Sequence, residues 1–432
     1  MFAAWLVACG GGNSTVTTLS GGGLSGTQTG PVVAIDQPVG TNTTEVLIDS
    51  GPVEAFSLGV VNIPYVTVTI CSPGSTTQCK TIDHVMLDTG SIGLRLLKST
   101  VAGLGLPAQE VPSDPATGTP AGHAVECFPF VIGGIWGPVV RADVQLGGER
   151  TATIPVQLVD DAPTPSYPPP ADCVAAAEGT LLKSVISLQA KGVLGVGMLR
   201  YDCGLACATG TSAGGYDQYY ACSGSGCTPA RMPADLQLQN PIAHLPINNN
   251  GSTLVLPAIP ETGASTVRGR LVLGIGTQSN NQLAASARVA YVDPDPMNAG
   301  YLYVTTTANG RSYPGSYIDS GSNGLFFEDP AISRTCSANA AAGVSRWYCP
   351  AASWRQQATL RDVTGASATV DLGVVNADLL FSTSNIAFSG LGGTPGAGSD
   401  GFVWGLPFFY GRSVTTSIWG QPLAVKGPWW AF

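Results

Sequence analysis

The chain has 432 residues, of which only 11% are charged, while 56 are glycine and 32 are proline. Its formal net charge is −9, from 19 basic and 28 acidic residues, and lysine and arginine form no cluster. An acidic chain without a basic patch argues against nucleic acid as a partner and against electrostatic binding to an anionic membrane surface. Abundant glycine and proline with little charge favour many short strands joined by tight turns, and hence an all-β fold.

The first residues have the character of an export signal. Residues 1–8 are apolar but far too few to span a bilayer as a helix. Residues 6–10, with the sequence LVACG, resemble the bacterial lipobox, which implies cleavage before Cys9 and a lipid on its thiol. The alternative is an ordinary buried or paired cysteine. We expect residues 1–9 to be the remnant of an export signal with its lipobox, and the Gly/Ser/Thr-rich residues 10–45 to be a flexible tether.

Strand-like runs are frequent beyond this tether, whereas few segments have helical periodicity. Short runs of β-branched and alternating apolar residues predict strands at Tyr65–Ile70, Asp143–Leu146, Ile154–Val159, Arg270–Leu273, Val289–Val292, Leu302–Thr306 and Ala368–Leu372. Short helices are predicted over Glu178–Gln189 and Pro330–Ala342.

Cysteine usage indicates an oxidising compartment. Setting Cys9 aside from the 11 cysteines leaves ten, an even number suited to disulfides. Cys71 and Cys79 flank a turn-rich segment and predict a stapled hairpin, and Cys336 and Cys349 bracket a small loop.

Four further cysteines crowd one Gly-rich segment and allow two interpretations. They are Cys203, Cys207, Cys222 and Cys227, which leaves Cys127 and Cys173 to pair by elimination. A zinc site is the alternative, but the spacings depart from the usual C-x2-C pairs, so we expect disulfides. The histidines His84, His123 and His244 are scattered without paired spacing, and we predict no metal site.

The most informative feature is a short motif that occurs twice. Asp88-Thr89-Gly90-Ser91 and Asp319-Ser320-Gly321-Ser322 each follow hydrophobic residues and precede a Gly-Leu pair. A single Asp-x-Gly is ordinary turn chemistry, whereas two copies with matching flanks indicate two related lobes that each present one aspartate to a shared site. Two carboxylates held close together share a proton, so that one acts as base and the other as acid.

A second element is also repeated. Val193-Leu194-Gly195 follows the first motif by about a hundred residues, and Val403-Trp404-Gly405 follows the second at a comparable distance. With these pairs the chain resembles the pepsin-like aspartic peptidases, in which each lobe has a D-[ST]-G loop and a hydrophobic-hydrophobic-Gly strand beside it. The resemblance covers roughly residues 55–432. The lipobox and tether are similar to those of a bacterial lipoprotein branch of such a family.

The resemblance implies an all-β, bilobal, double-ψ β-barrel architecture with two pseudo-twofold-related lobes and a few short helices. The N-terminal lobe would span residues 46–245 and the C-terminal lobe residues 246–432. Asp88 and Asp319 would activate a water for attack on a peptide carbonyl. We expect no cofactor, a monomer, and a polypeptide substrate or protein ligand. Membrane contact would be through the lipid anchor only, with the exported protein on the periplasmic or surface side of the bacterial cell envelope.

The neighbours of the two aspartates have predicted supporting roles. In each motif the glycine permits a sharp turn close to the carboxylates. The hydroxyl residue before it reaches across the pseudo-twofold axis, and the serine after it donates to the outer carboxylate oxygen. These residues are Thr89, Gly90, Ser91, Ser320, Gly321 and Ser322.

A hairpin over residues 128–137 is the candidate flap above the cleft. Its Gly133-Gly134 pair suits a hinge at the tip, and Phe130 or Trp136 would lie nearest the position of the family's flap tyrosine. Both aromatics have an alternative interpretation as core residues. Arg95 stands where the family often has a tryptophan that braces that tyrosine, so the resemblance implies a different flap chemistry here.

Three functions remain open on these residues. The first is an aspartic endopeptidase acting on extended polypeptide. The second is a pepsin-fold binding protein whose aspartates no longer cleave. The third is a lipid-tethered structural β protein with Gly-rich turns, which the repeated hydrophobic-hydrophobic-Gly elements argue against.

Overall fold

The computed structural model describes residues 31–35, 40–163, 165–210, 218–224, 226–293, 302–337, 346–395 and 401–432, and these are the residues discussed below. Their fold is all-β. In chain order the strands are β1 Val32–Ala34, β2 Thr43–Ile48, β3 Tyr65–Cys71, β4 Cys79–Asp88, β5 Ile92–Leu97, β6 Glu110–Val111, β7 Gly122–Phe130, β8 Gly133–Leu146, β9 Glu149–Arg150, β10 Ile154–Val159, β11 Gly192–Val196, β12 Tyr219–Ser223, β13 Gly226–Pro229, β14 Gly251–Leu256, β15 Thr266–Leu273, β16 Val289–Tyr291, β17 Val304–Ala308, β18 Arg311–Ile318, β19 Leu325–Phe326, β20 Trp354–Arg361, β21 Ser367–Val374, β22 Gly392–Gly393, β23 Val403–Trp404, β24 Arg412–Ser417 and β25 Trp429–Ala431.

Helices in the described ranges are short. The α-helices are α1 Ala171–Ala176, α2 Val185–Leu188, α3 Gly204–Thr209 and α4 Ala377–Phe381. Single 3₁₀ turns occupy Val53–Leu58, Lys98–Val101, Ala234–Leu236, Pro241–His244, Ser279–Asn281 and Leu406–Phe409. The seven predicted strands all fall on observed strands, with shifts of a few residues at their ends.

The helix predicted over Glu178–Gln189 is wrong over most of its length. Glu178 and Gly179 have positive φ angles of 50° and 78°, a left-handed conformation that a helix interior does not tolerate. The helix α2 begins only after Ser184, whose side chain caps it. In the predicted helix Pro330–Ala342, residues 330–336 form turns and irregular structure, and residues 338–342 lie outside the described residues.

The strands form three groups. Strands β3–β13 constitute the first strand group, and strands β17–β23 form a separate seven-stranded sheet, the second strand group. An antiparallel linking sheet, in the order β16–β25–β24–β14–β15–β2, is continuous with the first strand group through the pairing of β2 with β3. The linking sheet takes β2 from the start of the chain and β24 and β25 from its end, so the predicted division at residues 245 and 246 does not separate independent sheets.

The prediction of a flexible tether over residues 10–45 is wrong at its C-terminal end. Strand β1 pairs in parallel with β15, and β2 pairs antiparallel with the same strand, beginning at Thr43. Val46 and Ile48 on β2 are fully buried in the largest apolar cluster, which extends to Trp430. Apolar burial holds this segment in the sheet. Residues 10–30 and Cys9 lie outside the described residues.

Candidate active site

Each repeated aspartate stands at the end of a strand that is supported in the same way. β4 ends at Asp88, and β11 lies beside it in parallel while pairing antiparallel with β5, the strand that follows the loop. β18 ends one residue before Asp319, and β23 lies beside it in parallel while pairing antiparallel with β19. The repeated hydrophobic-hydrophobic-Gly elements are therefore the strands inserted between the two arms of each aspartate loop.

The glycine of each inserted strand is required by close backbone contact. A Cβ atom on Gly195 would lie 2.6 Å from the backbone nitrogen of Ile92. A Cβ atom on Gly405 would overlap the carbonyl oxygen of Gly324. Only a residue without a side chain lets the inserted strand approach the aspartate loop so closely.

The two aspartate loops are hydrogen-bonded to each other in a reciprocal way. The Thr89 N–H donates to Ser320 Oγ at 3.1 Å, and the Ser320 N–H donates to Thr89 Oγ1 at 2.9 Å. The Ser320 hydroxyl also donates to the Leu87 carbonyl oxygen at 2.8 Å. These contacts join segments more than two hundred residues apart in the chain and fix the positions of both aspartates.

Each carboxylate accepts one backbone and one hydroxyl hydrogen bond. The N–H groups of Gly90 and Gly321 donate to Oδ1 of Asp88 and Asp319 at 2.7 and 2.8 Å. Ser91 Oγ donates to Oδ2 of Asp88 at 2.5 Å. Ser322 Oγ donates to Oδ2 of Asp319 at 2.7 Å. The matching pattern holds both carboxyl groups in equivalent orientations.

The two carboxyl groups face each other across the interlocked loops. A Cβ atom on Gly90 would lie 2.7 Å from Cγ of Asp319. A Cβ atom on Gly321 would lie 2.7 Å from Oδ1 of Asp88 and 3.3 Å from Oδ1 of Asp319. Each glycine therefore lies directly against the aspartate of the other loop, and the inner oxygens of the two aspartates are neighbours. We call Asp88 and Asp319 the aspartate pair.

Burial and the neighbouring charge of Asp88 raise the pKa of Asp319. Asp88 and Asp319 are both fully buried, with 0% of their surface exposed. Burial, and then the negative charge of Asp88, raise the pKa of Asp319 well above its usual range, while the hydrogen bond from Ser322 opposes this. These surroundings favour the protonated form of Asp319.

The predicted flap is a hairpin of β7 and β8, but its tip differs from the prediction. Phe130 pairs with Gly133, and the turn itself consists of Val131 and Ile132. Gly133 and Gly134 do not form a free hinge, because a Cβ atom on either would lie 2.7 Å from Thr180 or Ala177. The Gly134 N–H donates to the Thr180 carbonyl at 2.8 Å, so the hairpin is bound to the segment after α1.

Of the two aromatic candidates, neither is shown in contact with the aspartate pair. The Trp136 indole N–H donates to the Tyr167 carbonyl oxygen at 2.7 Å, and the ring packs edge-to-face on Tyr220. Trp136 is thus a core aromatic under the hairpin, which is the alternative interpretation of this residue. Phe130 is buried in an apolar cluster with Met86 and Val193, two residues on the strands that support Asp88.

The hairpin turn joins the first strand group to the second. Val131 packs against an apolar cluster that combines Val61 with second-group side chains such as Phe326, Trp347 and Val403. Phe326 and Val403 lie on β19 and β23, the strands that flank the Asp319 loop. The hairpin therefore contacts strands that support both aspartate loops.

Sequence analysis missed Asn62, a buried residue that also connects the two groups. Its Nδ2 donates to the carbonyl oxygens of Asn323 and Phe388, both at 2.9 Å, and its Oδ1 accepts from the Tyr410 hydroxyl at 2.9 Å. Its φ angle is 52°, a region in which asparagine is enriched. An asparagine within the apolar run before Pro64 was the available signal for a special backbone position.

Five disulfides indicate an oxidising, extracytoplasmic environment. Cys71–Cys79, Cys127–Cys173 and Cys336–Cys349 form as predicted. The crowded cysteines pair locally as Cys203–Cys207 and Cys222–Cys227, so their thiols are not available as zinc ligands.

Within the described ranges, no group of three or more His, Cys, Asp or Glu side chains could hold a metal ion. Within the same ranges, no helix is long and apolar enough to cross a membrane.

Comparison with known proteins adds a family assignment. A search of curated proteins found no match. Residues 38–432, which include both aspartate loops, both inserted strands and the hairpin, match the model of a protein family. The chain therefore belongs to the family described as "Protein of unknown function (DUF3443)".

Proposed function

We propose that this protein is an aspartic endopeptidase with a bilobal, pepsin-like double-ψ architecture. The first and second strand groups would be the two lobes, and the linking sheet would join them. The observation that carries the proposal is the reciprocal pair of hydrogen bonds between Thr89 and Ser320, which brings two equivalent aspartates together. A fold that used these residues only as turns would have no need for this symmetric contact across the chain.

The geometry supports a general acid–base mechanism. Asp88 acts as the general base and takes a proton from a water bound between the carboxyl groups, and the water oxygen attacks the peptide carbonyl carbon. Asp319 donates its proton to the carbonyl oxygen, which gives a neutral tetrahedral diol. The proton taken up by Asp88 then passes to the leaving nitrogen as the C–N bond breaks. Asp319 is reprotonated from the second diol hydroxyl, so the pair returns to its starting state.

The substrate class follows from the location of the pair. The carboxyl groups lie between two β groups connected by a long hairpin, an arrangement suited to an extended polypeptide. Since both aspartates are fully buried, a substrate reaches them only when a covering segment moves. The hairpin turn at Val131 is the segment whose contacts join the two sides.

A second candidate is a catalytically silent pepsin-fold binding protein. Complete burial of the aspartate pair favours it, as does the attachment of the hairpin to the Thr180 segment. In this case a protein ligand would bind between the strand groups without being cleaved, and the aspartates would serve only to hold the loops together.

We further propose that the protein is exported and held at the bacterial cell envelope by a lipid on Cys9, with a monomeric catalytic body. The lipobox-like sequence and the five disulfides support this location.

The experiment is cleavage of an unfolded protein substrate by wild type, Asp88→Asn and Asp319→Asn. A third variant, Asp371→Asn, removes an exposed carboxylate of the second strand group and is the matched control. The peptidase proposal predicts that the first two variants lose activity and the control retains it. Equal cleavage by Asp88→Asn and wild type would refute it. Saturable ligand binding without cleavage would favour the binding protein.

A further inference from the structure

A second group of charged side chains is buried beside the hairpin. Arg95 lies on β5, Glu126 on β7 and Asp202 in the segment before α3, and all three are at most 2% exposed. Arg95 Nη2 lies 2.7 Å from Glu126 Oε1 and 3.5 Å from Asp202 Oδ2. Charged residues are almost never buried to this degree unless they are paired. We call these three residues the buried charge cluster.

The other polar side chains that contact the cluster are uncharged. Gln218 Nε2 donates to Glu126 Oε1 at 3.1 Å and to Asp202 Oδ2 at 2.9 Å. The Tyr219 hydroxyl donates to Asp202 Oδ2 at 2.7 Å, and burial raises the pKa of Tyr219 well above its usual range, so it remains neutral. One cation therefore faces two carboxyl groups.

This charge count requires one proton. Two buried carboxylates beside a single guanidinium would leave an uncompensated negative charge, which is strongly destabilising in a fully buried site. Burial, and then the negative charge of Glu126, raise the pKa of Asp202 well above its usual range. Neutrality is reached when Asp202 carries a proton while Arg95 stays charged.

The cluster attaches the hairpin to the support of the first aspartate loop. The Arg95 guanidinium lies 3.9 Å above the ring of Phe128 on β7, a cation–π contact. Phe128 packs edge-to-face on Phe130 next to the hairpin turn, with ring centroids 5.0 Å apart. On its other side, Arg95 pairs in register with Val193 of the inserted strand β11.

Some polar atoms of the buried charge cluster and of a neighbouring glutamine lack hydrogen-bond partners. Arg95 Nε, Glu126 Oε2 and Gln157 Oε1 are buried and have no hydrogen-bond partner among the described protein atoms. Unpaired buried groups cost free energy and are relieved when water reaches them. Loosening of β7 from β5 would let water reach all three atoms. The free energy that favours the attached state of the hairpin is therefore small, and one additional negative charge in the cluster would outweigh it.

We propose that Arg95 is a positioning residue that holds the hairpin beside the aspartate pair, and that it does so only while Asp202 carries a proton. Loss of that proton releases the hairpin. The link to substrate access rests on the proposed function. The attachment itself does not depend on that function.

Proton linkage gives the size of the effect. The attached state binds one proton that a hydrated, detached cluster does not hold at neutral pH. Below the ordinary carboxyl pKa of about 4, which applies to the detached state, both states hold the proton and the ratio of attached to detached hairpin is independent of pH. Above it, this ratio falls roughly tenfold for each pH unit, until the attached state also loses its proton.

The test is hydrogen exchange of the full chain, with protection factors for residues 122–146 measured between about pH 4 and 9. Wild type is expected to lose protection in this hairpin at the upper end of the range. Asp202→Asn keeps a neutral side chain of the same shape and should have pH-independent protection. Glu126→Gln should behave likewise, because Arg95 then faces a single carboxylate. Asp235→Asn, which alters an exposed carboxylate outside the cluster, should match wild type.

Two results would overturn the proposal. One is hairpin protection in wild type that does not change with pH. The other is the same pH dependence in Asp202→Asn and Glu126→Gln as in wild type, with cooperative unfolding showing that the variants are folded. Because exchange is measured without substrate, an inactive protein with the expected exchange pattern would refute the peptidase while supporting the attachment.

Discussion

The glycines of the aspartate loops provide the sharpest structural prediction. In Gly321→Ala the new Cβ atom would lie 2.7 Å from Oδ1 and 2.8 Å from Cγ of Asp88. In Gly90→Ala it would lie 2.7 Å from both Cγ and Oδ1 of Asp319. Each substitution therefore displaces the aspartate of the opposite loop, while the φ angles of Gly90 and Gly321 lie outside the left-handed region and an alanine can adopt them.

The expected magnitudes follow from this overlap. A carbon–oxygen contact at 2.7 Å must lengthen by several tenths of an ångström, and overpacking of this kind costs about 1–3 kcal/mol. Displacement of a catalytic group by about 1 Å costs on the order of 100-fold in rate. Both alanine variants are therefore expected to remain folded, with cleavage reduced about 100-fold.

The assay combines denaturant unfolding with cleavage of an unfolded protein substrate. Gly105→Ala is the control, because nothing lies within 4 Å of a Cβ atom at that position and its φ angle is ordinary. It should change the free energy of unfolding by less than about 1 kcal/mol and leave cleavage unchanged. If Gly90→Ala and Gly321→Ala cleave the substrate at the wild-type rate, the carboxyl groups do not act as a pair.

Three further predictions concern stability. The hydrogen bond of His84 with Asp49 raises the pKa of His84. Its contribution to the free energy of unfolding is therefore complete below about pH 6.5 and is lost as pH rises through the folded pKa. In thermal unfolding, Asp49→Asn should destabilise the protein more at about pH 5.5 than at about pH 9. Burial lowers the pKa of His244 to about 4, so the protein loses stability as pH falls from about 6.5 towards 4. His244→Gln should lose less of its free energy of unfolding than wild type between about pH 6.5 and 4.5. The disulfide Cys127–Cys173 joins cysteines 46 residues apart. From the chain entropy that this loop removes from the unfolded state, replacing both cysteines by alanine should lower the free energy of unfolding by about 4 kcal/mol. A loss below about 1 kcal/mol in denaturant titration would contradict this.

Local patterns were sufficient to predict the aspartate loops. Asp88 and Asp319 are each followed by a glycine and a serine whose hydrogen bonds stay within three residues of the aspartate. The strand predicted at Ile154–Val159 coincides with β10, because a short β-branched run has few alternatives to a buried strand. Features set by neighbouring residues were therefore accessible from the sequence.

The buried charge cluster could not be predicted in the same way. Arg95 is 31 residues from Glu126 and 107 from Asp202, so no local spacing indicates their contact. The sequence could not decide between the flap and core roles of Trp136 for a related reason. Its indole partner is a backbone carbonyl at Tyr167, which carries no sequence signal. Long-range pairing decides both positions.

The central claim is tested most directly by the rate of cleavage of an unfolded polypeptide between about pH 3 and 8, with and without a statine-type transition-state analogue. The raised pKa of Asp319 predicts that cleavage is fastest in acid and falls as pH rises past that pKa, because the acid form is lost. The analogue should abolish cleavage by occupying the space between the carboxyl groups. A rate that increases steadily with pH, or that the analogue leaves unchanged, would contradict a mechanism based on the aspartate pair.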